Sequence, residues 1–266
     1  MSKFYNYIHI VSYYEGNNRE NNLLKIVEKI NNIKLFKEDY DKKYLIIFYI
    51  INNSTISDLT KYSYLKNKEN EKLDIKIIHR FNTGGTTQTL YDSYKYLINN
   101  KISCELLGVF EDDAIFNINN ILDKVKKYIE EGNVIVGSFW EKDNNPYTGV
   151  KRLDIPYNQK RIVPWCREYH IYNNSISNKL INDTEYIWCE DPYITTLDNL
   201  KKIEDKMSLF TLAPRNEIYT HCEHGINYGE VGFCIRLNKA GFKFIGLSKK
   251  ENFCSLDEIS IGNKMI

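Results

Sequence analysis

The sequence predicts an α/β fold built on a mostly parallel sheet flanked by helices. Three observations carry this expectation. Through the first half of the chain, segments rich in β-branched and aromatic residues alternate with segments of helical periodicity. One strand-like segment, 44–51, is apolar without interruption, which marks a strand buried on both faces. The polar residues of chemical interest directly follow the strands, where open α/β sheets bind ligands.

Residues 7–14 read as a first strand, and 21–36 carry Leu23, Leu24, Val27, Ile30 and Ile33 at helical spacing. After the strand at 44–51, Asn52-Asn53-Ser54-Thr55 supplies turn chemistry. A short strand at 75–79 precedes a helix at 86–98 with Leu90, Tyr94 and Leu97 on one side. A fourth strand at 106–110 ends in acids, followed by a helix at 118–130 and a fifth strand at 134–139. The second half is less regular. Residues 140–160 are polar, with Pro146 and Gly149, and suggest a loop or hairpin. Residues 161–172 read as a strand, 227–240 as a helix closed by Gly241, and 242–247 as a final strand. No repeat or linker divides the chain, so a single domain over 1–266 is expected, with halves of about 1–140 and about 141–266.

Composition narrows the classes of function. The chain has 36 basic and 35 acidic residues, a formal charge of +1, and so lacks the broad basic face of a nucleic-acid binder. Its hydrophobic fraction of 42% is enough for a sizeable core. The six cysteines are widely spaced with no Cys-x-x-Cys pair, which suits reduced thiols better than a disulfide scaffold. No basic segment followed by a long apolar core opens the chain, and no apolar run reaches the roughly 18 residues of a membrane span. A soluble, cytoplasmic protein is expected, and its oligomeric state stays open.

Glu111-Asp112-Asp113 directly follows the apolar run Leu106-Leu107-Gly108-Val109-Phe110. Three adjacent carboxylates at the end of a buried strand repel one another and need a cation or hydrogen-bond donors to stay ionised together. Hard divalent ions take such oxygen ligands and bridge to phosphates. A solvated acidic turn is the plainer alternative.

Phe110-Glu111-Asp112-Asp113-Ala114, placed after a fourth strand, resembles the Asp-x-Asp-type element of GT-A fold glycosyltransferases, in particular the large family 2 group. The resemblance implies a GT-A-like, Rossmann-like sheet with a nucleotide-sugar half first and a less regular acceptor half after it. It also implies Mn²⁺ or Mg²⁺ as cofactor. Asp113 would ligate the metal, Glu111 would sit near the ribose or metal, and Asp112 would lie between them near the sugar. Glu111 stands where the family usually has its first Asp.

Other segments fit the same resemblance in the same order. Ser12-Tyr13-Tyr14-Glu15 occupies the turn that lines the nucleotide pocket, which makes Ser12 and Tyr14 donor-site candidates; Tyr14 reads equally well as a core tyrosine. Asn52-Asn53-Ser54-Thr55 is similar to an Asp-Asp-Gly-Ser-Thr turn whose acid contacts uracil and ribose, and Asn52 offers both a donor and an acceptor. Ile51 takes that turn's first position. Arg80-Phe81-Asn82-Thr83-Gly84-Gly85 is similar to an Arg followed by Asn-x-Gly at a helix start below the nucleotide. There Arg80 would hold the base or a phosphate, Asn82 would join the donor site, and Gly84 would let the backbone approach a ligand. A plain helix start is the alternative.

In the second half, Gly229-Glu230-Val231-Gly232-Phe233-Cys234-Ile235-Arg236-Leu237 resembles the family's acceptor-side helix. Glu230 takes the place of the catalytic Asp, and Gly229 and Gly232 replace its flanking acids. An acid stabilised by a helix N-terminus is the alternative. Trp188-Cys189-Glu190-Asp191-Pro192 pairs an aromatic with acids, as acceptor sites do, and makes Trp188, Glu190 and Asp191 acceptor candidates; a helix-capping turn before Pro192 competes. His221 and His224 stand three apart without a second zinc-type pair, so a structural zinc is not expected. One of them would complete a catalytic metal site or touch the diphosphate.

The implied activity is inverting, metal-dependent transfer of a sugar from a nucleoside-diphosphate sugar, with a UDP-sugar favoured, to a glycan or other hydroxyl acceptor. A sugar nucleotidyltransferase is the first alternative, although Glu15-Gly16-Asn17-Asn18-Arg19 makes a poor phosphate loop. A catalytically degenerate module that binds a glycan or a partner is the second.

Overall fold

A computed structural model of the 266-residue chain describes residues 2–16, 18–32, 43–54, 57–82, 86–112, 114–116, 121–132, 135–138, 190–207, 244–247 and 254–256. In chain order the elements are β1 (Lys3–Tyr14), α1 (Glu20–Asn31), β2 (Tyr44–Asn52), a 3₁₀ turn (Leu59–Tyr62), the short helix α2 (Ser63–Lys66), β3 (Leu73–Phe81) and α3 (Thr86–Asn99). They continue with β4 (Ile102–Glu111), β5 (Ala114–Phe116), α4 (Ile121–Glu130), β6 (Ile135–Ser138), β7 (Glu190–Thr195), α5 (Leu197–Met207), β8 (Phe244–Leu247) and β9 (Cys254–Leu256).

The main sheet has seven strands in the order β3-β2-β1-β4-β7-β6-β8, and β5 and β9 form a separate ribbon. Strands β3, β2, β1 and β4 run parallel, whereas β7 is antiparallel to both β4 and β6. This is the α/β architecture expected from the sequence, with helices on both faces of a mostly parallel sheet. The uninterrupted apolar run of β2 is explained by its place: all of its residues but the last are buried, because both faces are covered.

Alternate residues of β1 serve opposite faces. Tyr7, Val11 and Tyr13 join a core with Leu23, Ile26, Val27 and Ile30 of α1. Burying an aliphatic side chain of this size stabilises by about 1.5–3 kcal/mol relative to leaving it exposed. Ser12 faces the other way, onto Thr89 of α3. The connection from β1 through α1 moves the sheet in one direction, to β2. The connection from β3 through α3 crosses back past β1 to β4. Right-handed crossovers in opposite directions put the two helices on opposite faces and open a crevice beyond the carboxyl ends of β1 and β4.

Several elements differ from the expected ones. The first helix ends at Asn31, and residues 33–42 lie outside the described residues. The helix expected at 118–130 is described from Ile121. The segment at Pro192 is neither a cap nor a loop but the antiparallel strand β7. Pro192 has no N–H to give a ladder. Accordingly, pairing to β4 runs only from Thr195 to Tyr193, and pairing to β6 jumps from Tyr193 to Glu190 in a bulge that passes over Asp191 and Pro192. The strand expected at 161–172 and the helix expected at 227–240 lie outside the described residues.

Gly108 in β4 sits at a tightly packed point of the central sheet. A Cβ there would fall 2.5 Å from the Phe110 ring, 2.6 Å from the Tyr7 hydroxyl and 3.3 Å from Ile194. The same space holds His9, buried and stacked on Phe110 at 4.3 Å, with its Nδ1 3.0 Å from the Tyr7 hydroxyl. Burial lowers the His9 pKa to about 3, so the ring is neutral at ordinary pH. Gly108→Ala should therefore overpack this cluster and lower unfolding stability by about 1–3 kcal/mol. Urea denaturation checks this; an unchanged midpoint would contradict the packing described.

Candidate functional site

The end of β4 delivers the acidic turn to the crevice. Glu111, the last residue of β4, is half-buried and lies in register with Ser12 of β1. The backbone N–H of Asp112 then donates to the Ser12 carbonyl at 3.0 Å. The Asp112 side chain has no exposure and turns inward, with Oδ2 2.9 Å from Nε of Arg19, itself only 8% exposed. A buried carboxylate is tolerated only when paired, and this guanidinium supplies the charge. Arg19 immediately precedes α1, and its carbonyl accepts from Asn22 N–H at 2.9 Å. The loop that brings it there turns through two left-handed residues, Gly16 at φ 95° and Asn18 at φ 54°.

On the α3 side, Ser12, Tyr14 and Arg80 come together around Thr89. Ser12 Oγ lies 2.6 Å from Thr89 Oγ1, which also accepts from Arg80 Nη2 at 3.2 Å. Tyr14 hydrogen-bonds Arg80, and Arg80 Nε is 3.7 Å from Asp92 Oδ2. Gln88 steadies Asp92 with a 2.7 Å hydrogen bond. Arg80 is buried, and burial lowers its pKa against the opposing pull of Tyr14 and Asp92. Burial also raises the Asp92 pKa, against the Arg80 charge. Arg80 is thus a buried anchor for α3 at the crevice floor rather than a side chain standing in the open.

On the α1 side, Asn52 closes β2 inside a hydrogen-bonded rim. Its Nδ2 donates to Glu15 at 2.8 Å, and its Oδ1 accepts from Ser54 N–H at 2.9 Å and lies 3.0 Å from His79 Nε2. Its carbonyl accepts from Asn82 N–H at 2.8 Å, which ties the end of β3 to β2. The amide expected to meet a base is therefore engaged in holding the strand ends. Glu15 gathers this rim: Tyr62 donates to it at 2.7 Å, and Lys61 forms an ion pair with it. Lys61 first, and then against the opposing effect of burial the Tyr62 and Asn52 hydrogen bonds, hold the Glu15 carboxyl at about 2. Beside it opens a cavity of about 450 Å³ lined by Tyr13, Glu15, Gly16, Asn18, Glu20, Asn21 and Lys61.

Gly84, Asp113, Trp188, His221, His224 and Glu230 lie outside the described residues. Glu190 and Asp191 are placed by their backbone in β7, next to β4. Among the described residues, no group of three His, Cys, Asp or Glu side chains is arranged to hold a metal ion. Sequence reasoning did not single out Arg19, Lys61, Thr89 or Asp92. The requirement that an acid at the end of a buried strand find a cation pointed to something like Arg19, but sequence distance hid the partner.

No protein-family profile matches the chain. No curated protein matches it by sequence. Among solved structures, the chain is similar to S. aureus TarS, with a TM-score of 0.48 and 14% identity over 91% of this chain. It spans 35% of the length of TarS. At that identity and TM-score the likeness carries no functional argument.

Two outcomes are expected from this geometry. Arg19→Met leaves Asp112 buried beside no guanidinium and should cost about 3–5 kcal/mol in urea unfolding, while a loss within error would contradict the burial of the pair. Glu15 has a folded-state pKa below its unfolded value. Its contribution to stability is therefore complete above about pH 4.5 and is lost as pH falls toward about 2. Stability measured across that window should fall less steeply in Glu15→Gln than in the wild type; parallel curves would contradict the rim.

Proposed function

We propose that the chain is a glycosyltransferase that moves a sugar from a nucleoside-diphosphate sugar to an acceptor hydroxyl, with inversion and with a divalent metal. The observation that carries this reading is the place of the acidic turn. Glu111 closes β4 and Asp112 follows it beside the end of β1, where the crossovers reverse direction and where ligands of open α/β sheets bind. The N-terminal ends of α1 and α3 flank that crevice from opposite faces and favour an anionic ligand such as a diphosphate.

The donor set suits a hard cation. Glu111 and Asp113 would be the oxygen ligands of Mn²⁺ or Mg²⁺, as the resemblance implies, with Arg19 neutralising Asp112 between them. When bound, such an ion supplies positive charge beside the leaving diphosphate. Tyr14, hydrogen-bonded to Arg80, would form the wall of the donor pocket on the α3 side, with the fully buried Ser12 behind it on Thr89. A UDP-sugar is the favoured donor, and Trp188, Glu190 and Asp191 would face the acceptor. Glu230 would take the proton of the acceptor hydroxyl as its oxygen bonds to the anomeric carbon. The bond from that carbon to the diphosphate oxygen breaks, and its electron pair leaves with the nucleoside diphosphate.

The test is release of a nucleoside diphosphate from a panel of nucleotide sugars, with and without Mn²⁺. Metal-dependent release of one diphosphate is expected. Asp113→Ala should abolish it. Glu230→Gln should spare donor binding and slow transfer about 10²–10⁴-fold, the usual contribution of a general base. Pyrophosphate-dependent exchange would indicate a nucleotidyltransferase instead, and unchanged transfer in Glu230→Gln would remove Glu230 from its role.

A further inference from the structure

Arg80 stands near the end of β3, beside the crevice, yet only 7% of it is exposed. A side chain so enclosed acts on a ligand in the crevice only through a neighbour that borders it. Tyr14 is that neighbour: it closes β1 at the carboxyl edge of the sheet, is half-buried and hydrogen-bonds Arg80. A guanidinium has donors only, so the Tyr14 hydroxyl oxygen accepts. Behind Arg80, three contacts set its pose. Nη2 donates to Thr89 Oγ1 at 3.2 Å, Nε lies 3.7 Å from Asp92 Oδ2, and Gln88 Nε2 holds Asp92 Oδ1 at 2.7 Å. Gln88, Thr89 and Asp92 all belong to α3, which is anchored by the buried Leu90 and Leu97. The helix is therefore the fixed end of this chain of contacts, and the Tyr14 ring is its far end. A buried guanidinium–carboxylate pair adds little stability over apolar packing, so the consequence of the pair is chiefly geometric.

We infer that Asp92 is a positioning residue for ligand binding: through Arg80 it fixes the Tyr14 ring at the edge of the crevice. Asp92 touches no ligand in this role. Ligands of open α/β sheets bind beyond the strand ends, where Tyr14 stands, and a wall set in advance loses less freedom on binding. The inference rests on the nucleotide-sugar reading given above, which makes the ligand a nucleoside diphosphate. A purely structural Asp92 would serve only to hold α3 against the end of β3.

A double-mutant cycle separates the two roles. Asp92→Asn keeps the shape and removes the charge that meets Arg80. Tyr14→Phe keeps the ring and removes the hydroxyl that Arg80 holds. Binding of UDP is read by isothermal titration calorimetry with Mn²⁺ present, and stability from urea unfolding of the same preparations. Each single variant should weaken UDP binding about 3–10-fold, within the usual coupling of neighbouring groups. Because Asp92 acts through the Tyr14 hydroxyl, the double variant Asp92→Asn/Tyr14→Phe should bind UDP no more weakly than the weaker single variant. Losses that add in the double variant overturn the positioning role, as does an Asp92→Asn variant that loses stability but binds UDP as the wild type does; both leave the nucleotide reading intact. A wild type that binds no UDP overturns that reading, and this inference with it.

Discussion

The buried pair of Arg19 and Asp112 is the contact on which the geometry of the crevice turns. A carboxylate without exposure is unstable in a protein interior unless a cation meets it, and here the cation arrives from the loop between β1 and α1. That loop needs two left-handed residues, Gly16 and Asn18, to bring Arg19 under the end of β4. The consequence is a knot of three elements. The end of β1, the start of α1 and the end of β4 are fixed relative to one another by one ion pair and one backbone hydrogen bond.

The other two strand ends are tied by a different device. Asn52 bridges the ends of β2 and β3 and reaches back to Glu15 just beyond β1, and Glu15 in turn holds Tyr62 and Lys61. On the opposite face, Ser12, Thr89, Arg80 and Asp92 bind α3 to the sheet. The carboxyl edge of the sheet is therefore polar but stiff. A crevice with preset walls loses little conformational freedom on binding.

Much of the fold was legible in the sequence because parallel strands and amphipathic helices carry strong periodic patterns. The apolar run of β2 and the spacing of Leu90, Tyr94 and Leu97 in α3 lead directly to buried positions. Strand β7 was not legible. Glu190, Asp191 and Pro192 are poor strand formers, and the strand forms because β4 and β6 offer edges on both sides while a bulge absorbs the proline. The acidic turn was legible as a place, since it follows a buried strand. Its internal division of labour was not. Asp112 read as a sugar neighbour, yet in the fold it faces Arg19, ninety-odd positions earlier in the chain, and no local pattern encodes that pairing. Asn52 and Arg80 likewise read as ligand contacts and are found holding strands and helix together.

The central claim is that the acidic turn works as a metal and nucleotide platform with its middle acid held back. A crystal structure with UDP and Mn²⁺, using anomalous scattering to find the metal, tests it most directly. The account predicts Mn²⁺ bound by Glu111 and Asp113 beyond the ends of β1 and β4, with Asp112 still paired to Arg19. Mn²⁺ located elsewhere, or ligated by Asp112 after release from Arg19, would contradict it.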